Sequence, residues 1–342
     1  MFSVSTINFP ALKSDLLQQE LFDHIRNLLP ANLSLVEEIS GLLRISHDSA
    51  YRRIRGEKSI SFAELQTLST HYRISLDSIL KIDSRSSVFY GNWLRAKGFN
   101  FRNYLTGLLE HTQRVEEATH SMIYFEAKDF LAYEYLAYPE LCAFKYFYWI
   151  KTIINHPAYA DTLFENHDLG EVTTEICPRL LKSYNKIPST EIWSQDSINS
   201  TLHQIAYYEK LGVFAKQETV DILYDQLSAM LDQIRIQAEF GEKLTPEGKK
   251  CGGASYELYY NEAYQGTNTT LIEADGLNTV FVNHCVVNMI LTHDQDFCNS
   301  TRQYFEDAIS RSTSLNGKLC EERDRLFAEM QQKVQNAQLK VA

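Results

Sequence analysis

The punctuation of residues 17–80 most constrains this chain. Short stretches of helical apolar periodicity, each with its own start and stop signal, specify a bundle of short helices. In QQELFDHIRNLL, Leu21, Phe22, Ile25, Leu28 and Leu29 fall at helical intervals, and Pro30 ends the run. Ser34, with Glu37 three residues later, has capping-box spacing and opens a helix through Val36, Ile39, Leu42 and Leu43. Ser46 is the N-cap of a third helix and Gly56 its stop. Ser61 and Glu64 repeat the capping-box spacing ahead of Leu65 and Leu68, and Ser75 starts a last short turn, SLDSILK. Five short helices complete a small domain.

The third helix lies in RISHDSAYRRIRGEKSISFAEL, where Arg52, Arg53, Arg55 and Lys58 crowd together in a chain of net charge -11. The asymmetry is wider than this segment. Residues 1–109 hold 13 Lys/Arg against 10 Asp/Glu, whereas residues 110–342 hold 20 against 34. No acid lies between Asp83 and Glu110, but Arg85, Arg95, Lys97 and Arg102 do. A basic end on an acidic body directs the N-terminal part towards a polyanion. With Ala50 and Ile54 on the inner face, a step of about 100° per residue turns Asp48, Arg52 and Arg55 outward. Ser49 flanks the same side and Arg53 falls at an edge. A narrow polar face with arginine is what the major groove admits, arginine being the commonest reader of guanine. Asp48 and Arg52 also have the i,i+4 spacing of an ion pair.

Residues 34–80 resemble the phage-repressor helix-turn-helix family, the Cro/lambda-repressor or xenobiotic-response-element type. Ile39 precedes a small residue, Ser40; Leu43 and Ile45 flank the turn; Ser46 starts the recognition helix and Gly56 closes it. Downstream, Tyr72, Ile74, Ser75, Leu76 and Asp77 match the family's ending. Two positions depart: Arg44 stands where a turn glycine is usual, and Ile54 where an acid is usual. The resemblance implies binding of double-stranded DNA, usually as a homodimer on two half-sites. It assigns base reading to His47, Asp48, Ser49 and Arg52, and phosphate contact to Arg53, Arg55 and Lys58. Ser34, Ile39, Ser46, Ala50, Ile54, Gly56 and Ser61 are the structural positions.

The rest of the chain is expected to be a larger, mainly helical α+β domain with a small sheet. The boundaries read as a DNA-binding domain over 1–82, a basic linker over 83–100, and an effector-sensing or oligomerisation domain over 101–342. Within the last, 101–245 reads as helical with a strand near 121–127, and 254–342 as α+β. A helix is expected from Phe101 to about Glu117. Residues 124–149 include 11 aromatics, which suit a packed core better than a ligand box. HQIAYYEKLGVF lacks the recurring period of a tetratricopeptide array. EKLTPEGKKCGG reads as a polar break, followed by strand patterns in SYELYYNE, NTTLIEAD and NTVFVNHCV. Two helices, near 297–311 and 318–336, finish the chain. In the second, Leu319, Leu326, Met330, Ala337 and Val341 form a line that either docks on the core or meets a partner helix.

No catalytic constellation stands out, so no enzyme activity and no cofactor are expected. His293, Asp294, Asp296 and Cys298 in HDQDFC, near His284 and Cys285, match no metal clip, and no metal is expected. ENHD (165–168) reads as a polar loop. The six cysteines, 142, 177, 251, 285, 298 and 320, are scattered and read as reduced core thiols. The start lacks the build of a signal peptide, and no apolar run has membrane-spanning length, so a cytoplasmic location is expected and no membrane partner. The expected function is a sequence-specific transcriptional regulator whose C-terminal domain senses a small-molecule effector or protein partner. A DNA-binding protein with a purely scaffolding C-terminal domain is the alternative, and a DNA-tethered enzyme the third reading.

Overall fold

The computed structural model describes residues 14–29, 33–72, 74, 79, 87–91, 100–165, 172–263, 266–284 and 288–339. The chain divides into two compact units, 1–88 and 89–342.

The first unit is helical. Its elements are α1 (Ser14–Leu28), α2 (Leu35–Leu43), α3 (His47–Ile54) and α4 (Phe62–Tyr72). Each supplies one or more buried side chains to a common core: Leu21, Phe22 and Ile25 from α1, Leu35 and Ile39 from α2, Ala50 from α3, and Leu68 from α4. Ile74 closes it, and Ile79 packs against it partly buried. The expected fifth helix and the linker residues Arg85, Arg95 and Lys97 otherwise lie outside the described residues. So do Pro30, Ser75, Leu76 and Asp77.

The second unit is built on a nine-stranded mixed sheet, larger than the small sheet the sequence suggests. Its elements are β1 (Tyr90–Gly91), α5 (Phe101–Glu116), β2 (Ser121–Glu126), α6 (Pro139–Tyr148), α7 (Cys177–Tyr184), β3 (Ser189–Trp193), α8 (Asn199–Lys210), α9 (Gln217–Phe240), β4 (Glu242–Leu244), β5 (Lys250–Tyr260), β6 (Thr270–Ala274), β7 (Leu277–His284), β8 (Asn288–Thr292), α10 (Gln295–Ser310), β9 (Thr313–Ser314) and α11 (Glu321–Leu339). The strand order is β1-β8-β7-β6-β2-β3-β5-β4, with β9 also on β5. β2, β3 and β5 run parallel at the centre, which requires long crossovers, and the helices supply them. β6, β7 and β8 form an antiparallel meander on one side. β1 is only two residues long and pairs Gly91 with Ile290. A Cβ at Gly91 would come within 2.8 Å of the Ile290 Cγ2, so only glycine permits this approach.

Two expectations are corrected here. β3 falls inside the region 101–245 that reads as helical, because STEIW is buried on both faces and shows no alternation. β5 begins at Lys250, so the Gly-rich end of the supposed break belongs to the sheet and pairs with β4. Most of the aromatic run is core: Phe125, Phe130, Tyr133, Tyr135, Phe144, Tyr146 and Phe147 are buried, with Tyr133 stacked on Tyr184 at 4.4 Å. The line docks inward on α11 through Leu326 and Met330, but Leu319 precedes the helix and is fully exposed, and Val341 is outside the described residues. Among the described residues no helix is long and apolar enough to cross a membrane.

A charged cluster lies inside this unit. Glu191 on β3 is fully buried; it accepts from the Trp193 Nε1 at 2.8 Å and the Tyr184 hydroxyl at 3.1 Å, and more weakly from the Tyr256 hydroxyl. Glu134, also buried, shares the Tyr184 hydroxyl at 3.2 Å. The Lys243 ammonium lies 3.3 Å from the centre of the Tyr184 ring. Burial, reinforced by the Glu191 charge, raises the Glu134 carboxyl to about 8 against the opposing pull of Lys243. The Tyr184 hydroxyl is directed at both carboxylates and has one proton to donate between them, while burial raises the Glu191 carboxyl as well.

Candidate nucleic-acid interface

The basic segment is held by two matching helix endings. At the end of α2, Arg44 adopts left-handed dihedrals (φ 55°), with its amide directed to Gly41 O and the Ile45 amide to Ser40 O. At the end of α3, Gly56 takes φ 76°; its amide donates to Arg53 O and the Glu57 amide to Arg52 O. Both are six-to-one Schellman closures. Glycine suits the second, but arginine in the first carries a Cβ against the carbonyl. Arg44→Gly is therefore expected to stabilise the first unit by about 0.5–1 kcal/mol, the steric gain exceeding the entropy glycine adds to the unfolded chain. Slower hydrogen exchange at the Ile39 and Ala50 amides would register it.

Between these closures Ser46 caps α3, accepting the Ser49 amide at 3.2 Å. His47, Asp48, Tyr51 and Arg52 are exposed on α3, and Ser49 is half-buried. The inner face differs from the expected one: Ala50 and Arg53 are buried, and Ile54 is only half-buried. Arg53 is removed from the phosphate-contact set. Its Nη2 pairs with Glu64 Oε1 at 2.8 Å and its Nη1 donates to Ser49 O at 3.1 Å, inside the unit. Among the described residues, the ion pairs of this segment are Arg53–Glu64 and Arg55–Glu57; the Asp48–Arg52 pair expected from spacing does not form.

Glu64 explains why Arg53 turns inward. Its Oε2 accepts the Ser61 amide at 2.8 Å while its own amide donates to the Ser61 hydroxyl oxygen, a complete capping box. The other carboxylate oxygen is left to hold Arg53. Burial pushes the Glu64 carboxyl up, but the Ser61 amide and the Arg53 guanidinium outweigh it and leave it below the ordinary range. Ser34, by contrast, has the extended backbone of an N-cap but makes no side-chain cap bond, so the first capping box is not formed.

Two glutamines on α1, missed in the sequence, fasten the segment from behind. Gln18 donates to Arg53 O and Lys58 O and accepts the Ile60 amide, and Gln19 donates to Arg55 O at 2.8 Å. They satisfy carbonyls that a helix end leaves open. Nothing in QQELF distinguishes these amides from solvated ones. Arg55 and Lys58 remain exposed, and Arg102 is exposed on α5.

The second candidate cluster disperses. Asp294 caps α10 by accepting the Phe297 amide, His293 Nδ1 meets the Thr279 hydroxyl at 3.0 Å, and Cys298 is buried beside Thr292 O. Among the described residues no group of three or more His, Cys, Asp or Glu is placed to hold a metal ion. Cys142, Cys177 and Cys298 are free and buried. Residues 166–168 and Cys285 lie outside the described residues. No protein-family model, curated protein or solved structure matches the chain.

Proposed function

We propose that this protein is a sequence-specific DNA-binding transcriptional regulator. Its first unit acts as a helix-turn-helix, laying α3 in the major groove, and its second unit responds to a ligand or protein partner. One observation carries the reading: α3 projects His47, Asp48 and Arg52 outward from a helix fixed at both ends and from behind. A helix that enters a groove needs this combination of rigid backbone and polar outer face. The net positive charge of residues 1–109 favours the same partner, whereas the acidic remainder does not.

His47, Asp48, Ser49 and Arg52 are the base-reading group in this proposal, and Arg55 and Lys58 meet phosphates. Two copies acting on paired half-sites, about 34–36 Å apart, would fit its docking geometry. Selection of duplexes from a random pool by the purified chain tests it directly, since enriched half-sites at regular spacing give motif and symmetry together. Arg52→Ala is expected to cost about 1–3 kcal/mol on the selected site and relax preference at one base pair. An equal loss on random DNA would exclude Arg52 from base reading.

Assembly through the second unit has an observation of its own in favour. Phe240 and Leu319 are exposed at 52% and 101% on segments joined by Asn316 Nδ2 and the Gly317 amide, both donating to Ala238 O. If this unit serves assembly alone, sedimentation will depend on concentration while no added metabolite shifts DNA affinity. Neither reading calls for an enzyme activity or a cofactor.

A further inference from the structure

Arg55 does not behave as a loose surface cation. Its guanidinium carbon stands 5.6 Å from the centre of the Tyr51 ring, one helical turn back along α3. Its Nε pairs with Glu57 Oε1 at 3.3 Å. The backbone beneath is held as well, because the Arg55 amide donates to Tyr51 O at 3.1 Å and its carbonyl accepts from Gln19. The aromatic ring lies on one side, a carboxylate sits against the inner nitrogen, and the main chain is clamped. Among the described residues no acceptor engages the two terminal nitrogens, and the side chain is 59% exposed. A guanidinium fixed in this way presents two parallel N–H donors at a set angle, a geometry that matches the paired oxygens of a phosphodiester.

We infer that Tyr51 and Glu57 are positioning residues that hold Arg55 as a preformed bidentate receptor for one phosphate of the DNA backbone. The inference rests on the DNA-binding reading and deepens it. Arg55 is the C-cap of α3, one turn beyond Arg52 at the end opposite His47 and Asp48, and its contact is one of register and orientation. Lys58, exposed just beyond, adds charge without geometry. Holding the side chain in place before the encounter spares the cost of immobilising it on binding.

Glu57 makes the inference testable against simple electrostatics. A carboxylate near DNA repels phosphate, so its removal should tighten binding if charge alone counts. If it positions Arg55, its removal should weaken binding. In the full chain, titrated against a fixed duplex and against random DNA at several salt concentrations, Arg55→Ala is expected to weaken both about tenfold. Tyr51→Ala should weaken binding about threefold, the size of an exposed cation–π contact, and Tyr51→Phe should retain it. Arg55→Lys should not restore affinity, since an ammonium lacks the fork. Glu57→Ala should weaken binding when Arg55 is present and tighten it in the Arg55→Ala background. All three side chains are surface groups, so circular dichroism should show unchanged folding. Tighter binding by Glu57→Ala in both backgrounds, or a Tyr51→Ala loss that persists without Arg55, would overturn the inference while leaving DNA binding intact. Absence of any duplex binding by the unaltered chain at low salt would instead overturn the functional reading, and this inference with it.

Discussion

Glu64→Ala is expected to destabilise the first unit by about 3–5 kcal/mol, because it strands the buried Arg53 guanidinium and dismantles the capping box in one step. The Arg53 side chain is 8% exposed and its Nε already lacks an acceptor, so no water-accessible route relieves the lost carboxylate. For a unit of this size such a loss is on the order of half the folding free energy or more. Urea denaturation read at signals from residues 14–72 should show the shift, and the proposed DNA binding would weaken through the unfolded fraction. The partner substitution is not equivalent. Arg53→Met leaves Glu64 capped by Ser61 and 19% exposed, and should cost clearly less. Equal costs for the two changes would mean that the buried charge is not what Glu64 supports.

Stability of the second unit should fall as pH rises from 6.5 to 8, and Glu134→Gln should reduce that fall, the Glu191 carboxyl being raised by burial in the same direction. The folded Glu134 carboxyl is raised to about 8, whereas the unfolded chain releases its proton near the ordinary value of 4.5. Between those values the folded state binds the extra proton, so raising the pH favours unfolding by up to about 1.4 kcal/mol per unit. The contribution is fully present below 4.5 and is lost by the time pH passes 8. His111 acts in the opposite direction below 6.5. Burial, with smaller contributions from Arg114 and His293, lowers the folded imidazole to about 4, so acid drives unfolding as the released ring takes up its proton. The slope above pH 6.5 therefore belongs to the carboxyl cluster. Thermal unfolding of wild type and Glu134→Gln across that window is the measurement; parallel curves would assign the proton elsewhere.

Caps and stops carried most of what could be read of the first unit. Ser46, Gly56 and the Ser61–Glu64 box act through hydrogen bonds within a few residues, and such local bonds leave a spacing in the sequence. Arg53 was illegible for the converse reason: its partner is 11 residues away, and helical periodicity counts charge as outward. Gln18 was further off still, bonding across 35 and 42 residues. In the second unit β3 was lost because burial on both faces erases alternation, and Glu191 within STEIW gave no hint that Trp193 and two tyrosines receive it. The turn at Arg44 shows the limit of local rules, since the left-handed position formed without the glycine that usually marks it.

The order of strands also sets a timetable. The first unit joins segments that are near neighbours in sequence, so its helices can assemble as soon as they have left the ribosome. β2 must wait for its partners. Its antiparallel neighbour aligns Ser121 with Ala274, so one edge stays open while roughly 150 further residues are made, on the order of ten seconds or more at ordinary synthesis rates. During that interval SMIYFE has β3 on one side at most and keeps an open apolar edge, in a chain whose leading helical unit can already be folded. Aggregation of nascent or truncated chains should therefore begin at this strand, and fragments ending before Thr270 should be the least soluble.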